Sequence, residues 1–289
     1  MRIEVIEPHG FCSGVKAALE KALHALASSG ADAVCCLHEI VHNESVVADL
    51  QAKGMRFVER LDEVPAGGTV LFSAHGVAPA ARREAAARGL RVVDATCPFV
   101  ARVHGQVRAY AARGVPVAVV GHADHVEVRG VVGEAREAGA QVAVVKDAAE
   151  AAALPFPADG PVGVVCQTTL AAGMVERVLG ALAARYPRLE TTPAADACTA
   201  TRDRQDAVRA FVAAGGDGVL VLGSASSSNT RRLVETAETA GARAWRAASS
   251  DELAAIDFTG VARLGVTSGA STPETFFRQV CGRLSNGNG

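Results

Sequence analysis

Three segments each set a cysteine between an extended run and an amphipathic stretch: "IEVIEPHGFCSGVKAAL" around Cys12, "LRVVDATCPFVARVHGQV" around Cys97 and "TTPAADACTATRDRQDAV" around Cys198. Pro98 suits the first position of a helix, so Cys97 is expected at a strand-to-helix turn. A thiol at a helix N-terminus is biased toward the thiolate, the form that acts as nucleophile or metal ligand. The cysteines stand 85 and 101 residues apart, about one small α/β unit each. Three such units about an axis would carry three thiolates to one centre, which suits zinc or an iron–sulfur cluster. The closely spaced cysteine pairs usual for structural zinc are absent, whereas a cubane held by three cysteines leaves one iron open. Two other readings stand beside this one. Cys97 and Cys198 could serve a cofactor-free isomerase or hydrolase as nucleophile or acid/base pair, or the chain could be a non-catalytic redox sensor. Cys35 and Cys36 in an apolar run, Cys166 inside a strand and Cys281 after a helical pattern read as small apolar residues.

The elements that must position these groups alternate. "GTVLFSAHG", "LRVVDATCP", "VPVAVVGHA", "AQVAVVKD", "PVGVVCQTT", "DGVLVLGSASSSN" and "ARLGVTSGAST" are continuous Val/Leu-rich runs, as expected of parallel strands buried on both faces. Between them, "GVKAALEKALHALASSG" repeats Val15, Leu19, Ala22, Leu23 and Leu26 at helical spacing, with Gly30 as a C-cap, and "VERVLGALAARY" and "RRLVETAETAG" follow the same pattern. The alternation predicts an α/β protein with open, mostly parallel sheets. Such sheets bind ligands outside the carboxyl ends of their strands. Those ends read Ser73-Ala74-His75-Gly76, Cys97, Gly121 to His125, Gln167-Thr168-Thr169, Ser226 to Asn229 and Ser268 to Ser271. They are hydroxyl, amide and imidazole groups that suit an anion.

Composition bounds the partners. The 289 residues are 49% hydrophobic and 21% charged, with a formal net charge of −2, so no global basic field exists to hold nucleic acid or anionic lipid. The N-terminus carries Glu4 and Glu7 where a signal peptide needs an apolar core, and no apolar stretch reaches the roughly 18 residues of a membrane span. Seven cysteines without regular spacing do not read as a disulfide framework. A cytoplasmic protein with small-molecule or protein partners is expected. "GFCSGVK" mimics a phosphate-binding loop but lacks its spacing.

Nine motifs then occur in order between about residue 3 and residue 283: "GFCSGV", "HEIVHN", "FSAHGV", "DATCP", "GHADHVEV", "QTTL", "ATRDRQ", "GSASSSN" and "GVTSGAS". On these the chain resembles the IspH/LytB family of 4-hydroxy-3-methylbut-2-enyl diphosphate reductases. The resemblance implies three small open-sheet α/β domains around a pseudo-threefold axis, divided as 14–96, 97–193, and 194–283 together with 1–13. It implies one central [4Fe–4S] cluster per chain on Cys12, Cys97 and Cys198, with the open iron taking the substrate hydroxyl. The implied reaction is reductive dehydroxylation of (E)-4-hydroxy-3-methylbut-2-enyl diphosphate to isopentenyl and dimethylallyl diphosphate, the last step of the methylerythritol phosphate route. His42, His75, His125, Thr168, Ser227, Ser228, Asn229 and Ser271 match the substrate site, and Glu127 with Thr168 matches the proton path. A ferredoxin or flavodoxin donor and a monomer or weak homodimer are implied as well. Three positions depart from the pattern: Val126 stands where Pro is usual, Asp203 where Asn is common and Ala171 where Ser is frequent.

Overall fold

The computed structural model describes residues 1–29, 33–191 and 198–286. In chain order, β1 (Arg2–Val5) leads to α1 (Ser13–Ser28). Then β2 (Val34–Leu37), β3 (Met55–Val58), β4 (Thr69–Phe72) and β5 (Arg91–Asp94) follow, with α2 (Glu44–Ala52) after β2 and α3 (Pro79–Ala87) after β4. Next, α4 (Pro98–Ala112) precedes β6 (Val117–Val120), α5 (Val126–Glu137), β7 (Val142–Val145), α6 (Ala148–Ala152), β8 (Pro161–Cys166), α7 (Ala172–Arg185) and β9 (Arg188–Thr191). The last stretch is α8 (Thr199–Ala213), β10 (Gly218–Leu222), α9 (Ser228–Thr239), β11 (Arg243–Ala247), α10 (Ser250–Ala254), β12 (Arg263–Ser268) and α11 (Glu274–Asn286).

The strands form three four-stranded sheets, ordered β3-β2-β4-β5, β7-β6-β8-β9 and β1-β12-β10-β11, and every pairing is parallel. The α/β class expected from the alternation of runs is therefore present three times over. Two compact units divide the chain: Met1–Lys16 with His42–Val47 and Cys198–Gly289, holding the third sheet, and Ala17–Val41 with Ala48–Ala197, holding the other two.

The central strands β2, β4, β6, β8, β10 and β12 are covered on both faces, and their sequences are apolar without alternation for that reason. In the second sheet, Val117, Val119 and Val165 face Val103, Val107 and Tyr110 of α4 and Val128, Val131 and Ala135 of α5. The intervening Ala118, Val120, Val162, Val164 and Cys166 face Leu154, Phe156 and the Val175, Val178 and Leu182 stripe of α7. The third sheet repeats this with Val219 and Val221 toward Val208, Phe211 and Leu233, and Leu220, Leu222, Leu264 and Val266 toward Phe277 and Val280.

Two expectations need correction. "LRVVD" and "QVAVV" read as strands buried on both faces, yet β5 and β7 are sheet edges and only half covered, Val92 being 42% exposed. In α1 the buried stripe is Val15, Ala18, Ala22 and Ala25, and Leu23 is exposed, because small residues let the helix approach closely. Gly30, assigned as the cap of this helix, lies outside the described residues. The less apolar edges β3, β9 and β11, each interrupted by Arg or Glu, carried too weak a run to be singled out from sequence.

One contact shows how tightly the sheets are packed. A Cβ at Gly163, in the middle of β8, would lie 2.6–2.7 Å from Tyr110 ring carbons, and the Tyr110 hydroxyl is itself tied to the Glu190 carbonyl at 3.0 Å. Gly163→Ala must displace that ring and is expected to lower unfolding free energy by about 1–3 kcal/mol. Urea denaturation checks it; an unchanged midpoint would show that Tyr110 moves freely.

Candidate functional site

Parallel pairing decides which chain segments meet. Val120 of β6 stands opposite Cys166 of β8, so the stretches leaving their carboxyl ends run side by side. The Gln167 amide donates to Val120 O at 2.8 Å and the His122 amide to Gln167 Oε1 at 3.2 Å. His125 then caps α5: its Nδ1 accepts from the Glu127 amide at 3.2 Å, which assigns the proton of the neutral ring to Nε2. His75, leaving β4, sets its ring at right angles to that of His125 with centroids 6.0 Å apart. Gly76 beside it has φ +73° and passes so close to Thr96, Val100 and His104 that a side chain would not fit without displacing them.

Glu127 occupies the first turn of α5 and is 1% exposed. Its Oε1 accepts from the Thr168 amide at 2.8 Å and its Oε2 from Thr168 Oγ1 at 3.1 Å. Burial pushes its carboxyl up to about 7, against the two Thr168 donors, which favour the anion. A carboxyl that holds its proton near neutrality and lies against a hydroxyl can deliver that proton. Val126, where Pro was expected, is simply the first residue of α5, and the helix starts there without the ring.

In the other unit, Leu222 of β10 stands opposite Ser268 of β12, and the two following segments interlock. Asn229 Oδ1 accepts from the Ala270 amide at 2.9 Å and Asn229 Nδ2 donates to Thr201 Oγ1 at 3.2 Å. Ser227 caps α9 by accepting from the Thr230 amide, and Ser228 Oγ accepts from Arg231 Nη2 at 3.2 Å. Ser271 donates its hydroxyl proton to the His42 carbonyl at 3.0 Å, which joins two of the candidate residues. All four of Ser227, Ser228, Asn229 and Ser271 are buried.

Each of the three candidate cysteines sits directly before a helix. Cys97 caps α4 with Pro98 behind it, Cys198 caps α8 and Cys12 precedes α1. The extended stretch expected before Cys198 falls largely within 192–197, outside the described residues. The Cys12 sulfur accepts from the Val15 amide at 3.5 Å, and the Cys12 amide donates to Ala270 O at 3.1 Å. Burial pushes the Cys198 thiol up, while the Ala200 and Thr201 amides pull it down. Cys12, Cys97 and Cys198 are half-buried, whereas Cys35, Cys36 and Cys166 are fully enclosed. Burial drives the thiols of Cys35 and Cys36 upward, as it does at half-buried Cys281, and none of these three stands directly before a helix. Among the described residues, no three His, Cys, Asp or Glu groups gather as they would around a single ion. A cluster does not require that, because each thiolate holds a different iron.

Across residues 3–285 the chain matches the family model described as LytB protein. The chain belongs to the LytB family. The family's curated members include "4-hydroxy-3-methylbut-2-enyl diphosphate reductase 2" of Burkholderia mallei, 44% identical over 98% of this chain and 85% of that protein. The reductase of the same name from Azotobacter vinelandii is 44% identical over 98% of this chain and 90% of its own length. Among solved structures, the E-1-hydroxy-2-methyl-but-2-enyl-4-diphosphate reductase of Plasmodium falciparum superposes with a TM-score of 0.92 at 32% identity, covering 98% of this chain and 88% of that one.

Reading by motif missed two kinds of residue. His104 and Glu134 form a buried pair, Nδ1 to Oε1 at 3.0 Å, beneath the Gly76 loop and beside Gly130 of α5, and burial holds the imidazole below its ordinary range against the pull of Glu134. The only sequence signal was a histidine in the Val100, Val103, Val107 stripe of α4, which by itself reads as core. Arg204, buried in α8, was passed over inside "ATRDRQ". Of the other departures from the family pattern, Ala171 leaves α7 without a side-chain cap and Asp203 faces solvent, so neither touches the candidate site residues of its own unit.

The Glu127 carboxyl gives a pH test. Its value is raised from 4.5 to about 7, so between these values the folded chain keeps a proton that the unfolded chain releases. The contribution of this group is fully present below the lower value and lost as pH rises through the upper one, on the order of 3 kcal/mol in all. Glu127→Gln, which cannot ionise, is expected to gain about 2 kcal/mol on the native protein between about pH 5 and pH 8. Urea unfolding of both proteins at the two pH values measures it, and parallel pH dependences would refute the raised value.

Proposed function

We propose that this chain removes the allylic hydroxyl of (E)-4-hydroxy-3-methylbut-2-enyl diphosphate. Two electrons and two protons are taken up, water leaves, and isopentenyl or dimethylallyl diphosphate remains, the last step of the methylerythritol phosphate route. The observation that carries this reading is the identity of 44% over 98% of the chain to a curated reductase of that name.

A [4Fe–4S] cluster on Cys12, Cys97 and Cys198 accompanies the proposal, one per chain, with each of the three small α/β sheets as a domain about it. The donor set fits. All three are thiols at helix starts, amides aim at Cys12 and Cys198, and the buried Arg204 cation near those two makes no ion pair with a carboxylate among the described residues. When bound, the cluster supplies Lewis acidity and electrons, which reach it from a ferredoxin or flavodoxin. Seven thiols without a disulfide suit a reducing, cytoplasmic compartment.

The chain's own groups do the rest. His42, Ser227, Ser228, Asn229 and Ser271, together with His75 and His125, bind the diphosphate through side-chain hydrogen-bond donors and the start of α9. Ser271 must turn its hydroxyl from the His42 carbonyl to do so. His125 presents Nε2–H, since Nδ1 is held by the Glu127 amide. Glu127 keeps its proton until needed; once the Thr168 hydroxyl, which donates to Oε2 in this structure, turns its own proton to the departing hydroxyl, Oγ1 can accept the Glu127 proton in its place.

Anaerobically purified protein should be brown and should reduce the diphosphate with dithionite and a viologen; a colourless, iron-free and inactive protein would sink the reading. Cys12→Ser, Cys97→Ser and Cys198→Ser should each lose iron and sulfide. Cys35→Ala, Cys36→Ala, Cys166→Ala and Cys281→Ala should retain both, alanine being used because a hydroxyl would be buried without a partner.

Glu127→Gln should still bind substrate while turnover falls roughly 10²- to 10⁴-fold, the usual loss for a positioned general acid. Because the acid must be protonated, kcat/KM of the wild type should decline as pH rises through about 7, and Glu127→Gln should lack that limb. Turnover within about threefold of wild type would remove Glu127 from the proton path.

A further inference from the structure

Arg204 is 3% exposed, and its guanidinium stays protonated at any working pH. It lies in α8, six residues after Cys198. Nη1 donates to Ala200 O at 2.8 Å, Nη2 donates to Gly10 O at 2.8 Å and, more weakly, to His9 O at 3.5 Å. A single planar fork thus ties the backbone two residues before Cys12 to the backbone two residues after Cys198, a geometry that the point charge of lysine cannot reproduce. Nε is buried without an acceptor, and Arg204 makes no ion pair among the described residues. Burial works against its charge, and the acidic groups nearest to it are Cys12, Cys198, Asp203 and Glu7.

A buried charge whose hydrogen bonds, among the described residues, all go to carbonyl oxygens is costly, and the structure keeps this one beside two candidate ligands. We propose that Arg204 is the fixed counter-cation of the iron–sulfur centre and raises its reduction potential. This rests on the cluster reading above. Each electron accepted adds one negative charge to the cluster, and a cation held close in a low-dielectric interior stabilises the reduced state more than the oxidised one. The carbonyl fork has the separate task of holding the Cys12 and Cys198 segments, so charge and geometry can be taken apart by substitution.

The experiment is a dithionite titration of the holoenzyme followed by electron paramagnetic resonance, with iron and sulfide analysis, on wild type, Arg204→Met and Arg204→Lys. Arg204→Met should hold its cluster and be harder to reduce by at least tenfold in the reduction equilibrium constant, a downward shift of about 59 mV for one electron. Arg204→Lys, which keeps the charge and loses the fork, should shift by less than half of that. An Arg204→Met cluster with wild-type potential overturns the proposal. If Arg204→Met folds but takes up no iron, Arg204→Lys decides: normal iron content shows that the charge is required, and loss of iron there too shows that the fork alone matters and overturns it. A wild-type chain without iron and sulfide would instead refute the cluster reading itself.

Discussion

Parallel hydrogen-bonded pairing of two central strands, repeated in three sheets, is the constraint from which the site follows. Each central pair is in register at its carboxyl end: Leu37 with Phe72, Val120 with Cys166, Leu222 with Ser268. Two loops therefore leave each sheet side by side. Those of β2 and β4 carry His42 and His75, those of β6 and β8 carry His125 with Glu127 and Thr168, and those of β10 and β12 carry Ser227 to Asn229 and Ser271. The outer neighbour of β4, β8 and β12 is in each case an edge strand, β5, β9 or β1, and each is the last strand before a candidate cysteine. Hydrogen-bonding groups thus follow central strands and thiols follow edge strands, three times in succession.

Burial gives these groups their chemistry, and it acts in opposite senses on opposite charges. At Glu127 it favours the neutral carboxyl, because the two Thr168 donors recover only part of the lost hydration. At Arg204 neutralisation is not available, so the same loss of water leaves a standing positive charge beside Cys12 and Cys198. A neutral carboxyl and a buried cation arise from one physical cause. Both depend on the backbone: the start of α5 turns Glu127 inward, and α8 carries Arg204 back toward the Gly10 carbonyl.

Much of this was legible in the residues. The six central strands are mostly apolar, without alternation, because both faces are covered, and that pattern survives in sequence without any partner being known. Pro98 after Cys97 announced the start of α4. The edge strands were less legible: β5 and β7 looked as buried as their neighbours, while β3, β9 and β11 scarcely looked like strands, since an edge needs only one neighbour and tolerates charge. Arg204 was also missed, because a charged side chain in a polar stretch gives no local sign of the direction in which it points.

By itself, the sequence determined the α/β class, the cysteines that precede helices and the string of hydroxyl, amide and imidazole groups at strand ends. Periodicity and capping are local, and they are written in neighbouring residues. Tertiary structure alone decided which strands lie inside a sheet and which at its edge, that Glu127 meets Thr168 41 residues away, that Ser271 reaches the His42 carbonyl 229 residues away, and that Arg204 is buried with the Gly10 carbonyl as its partner. Strand register and helix packing set those contacts, and no stretch of chain shorter than a sheet contains them.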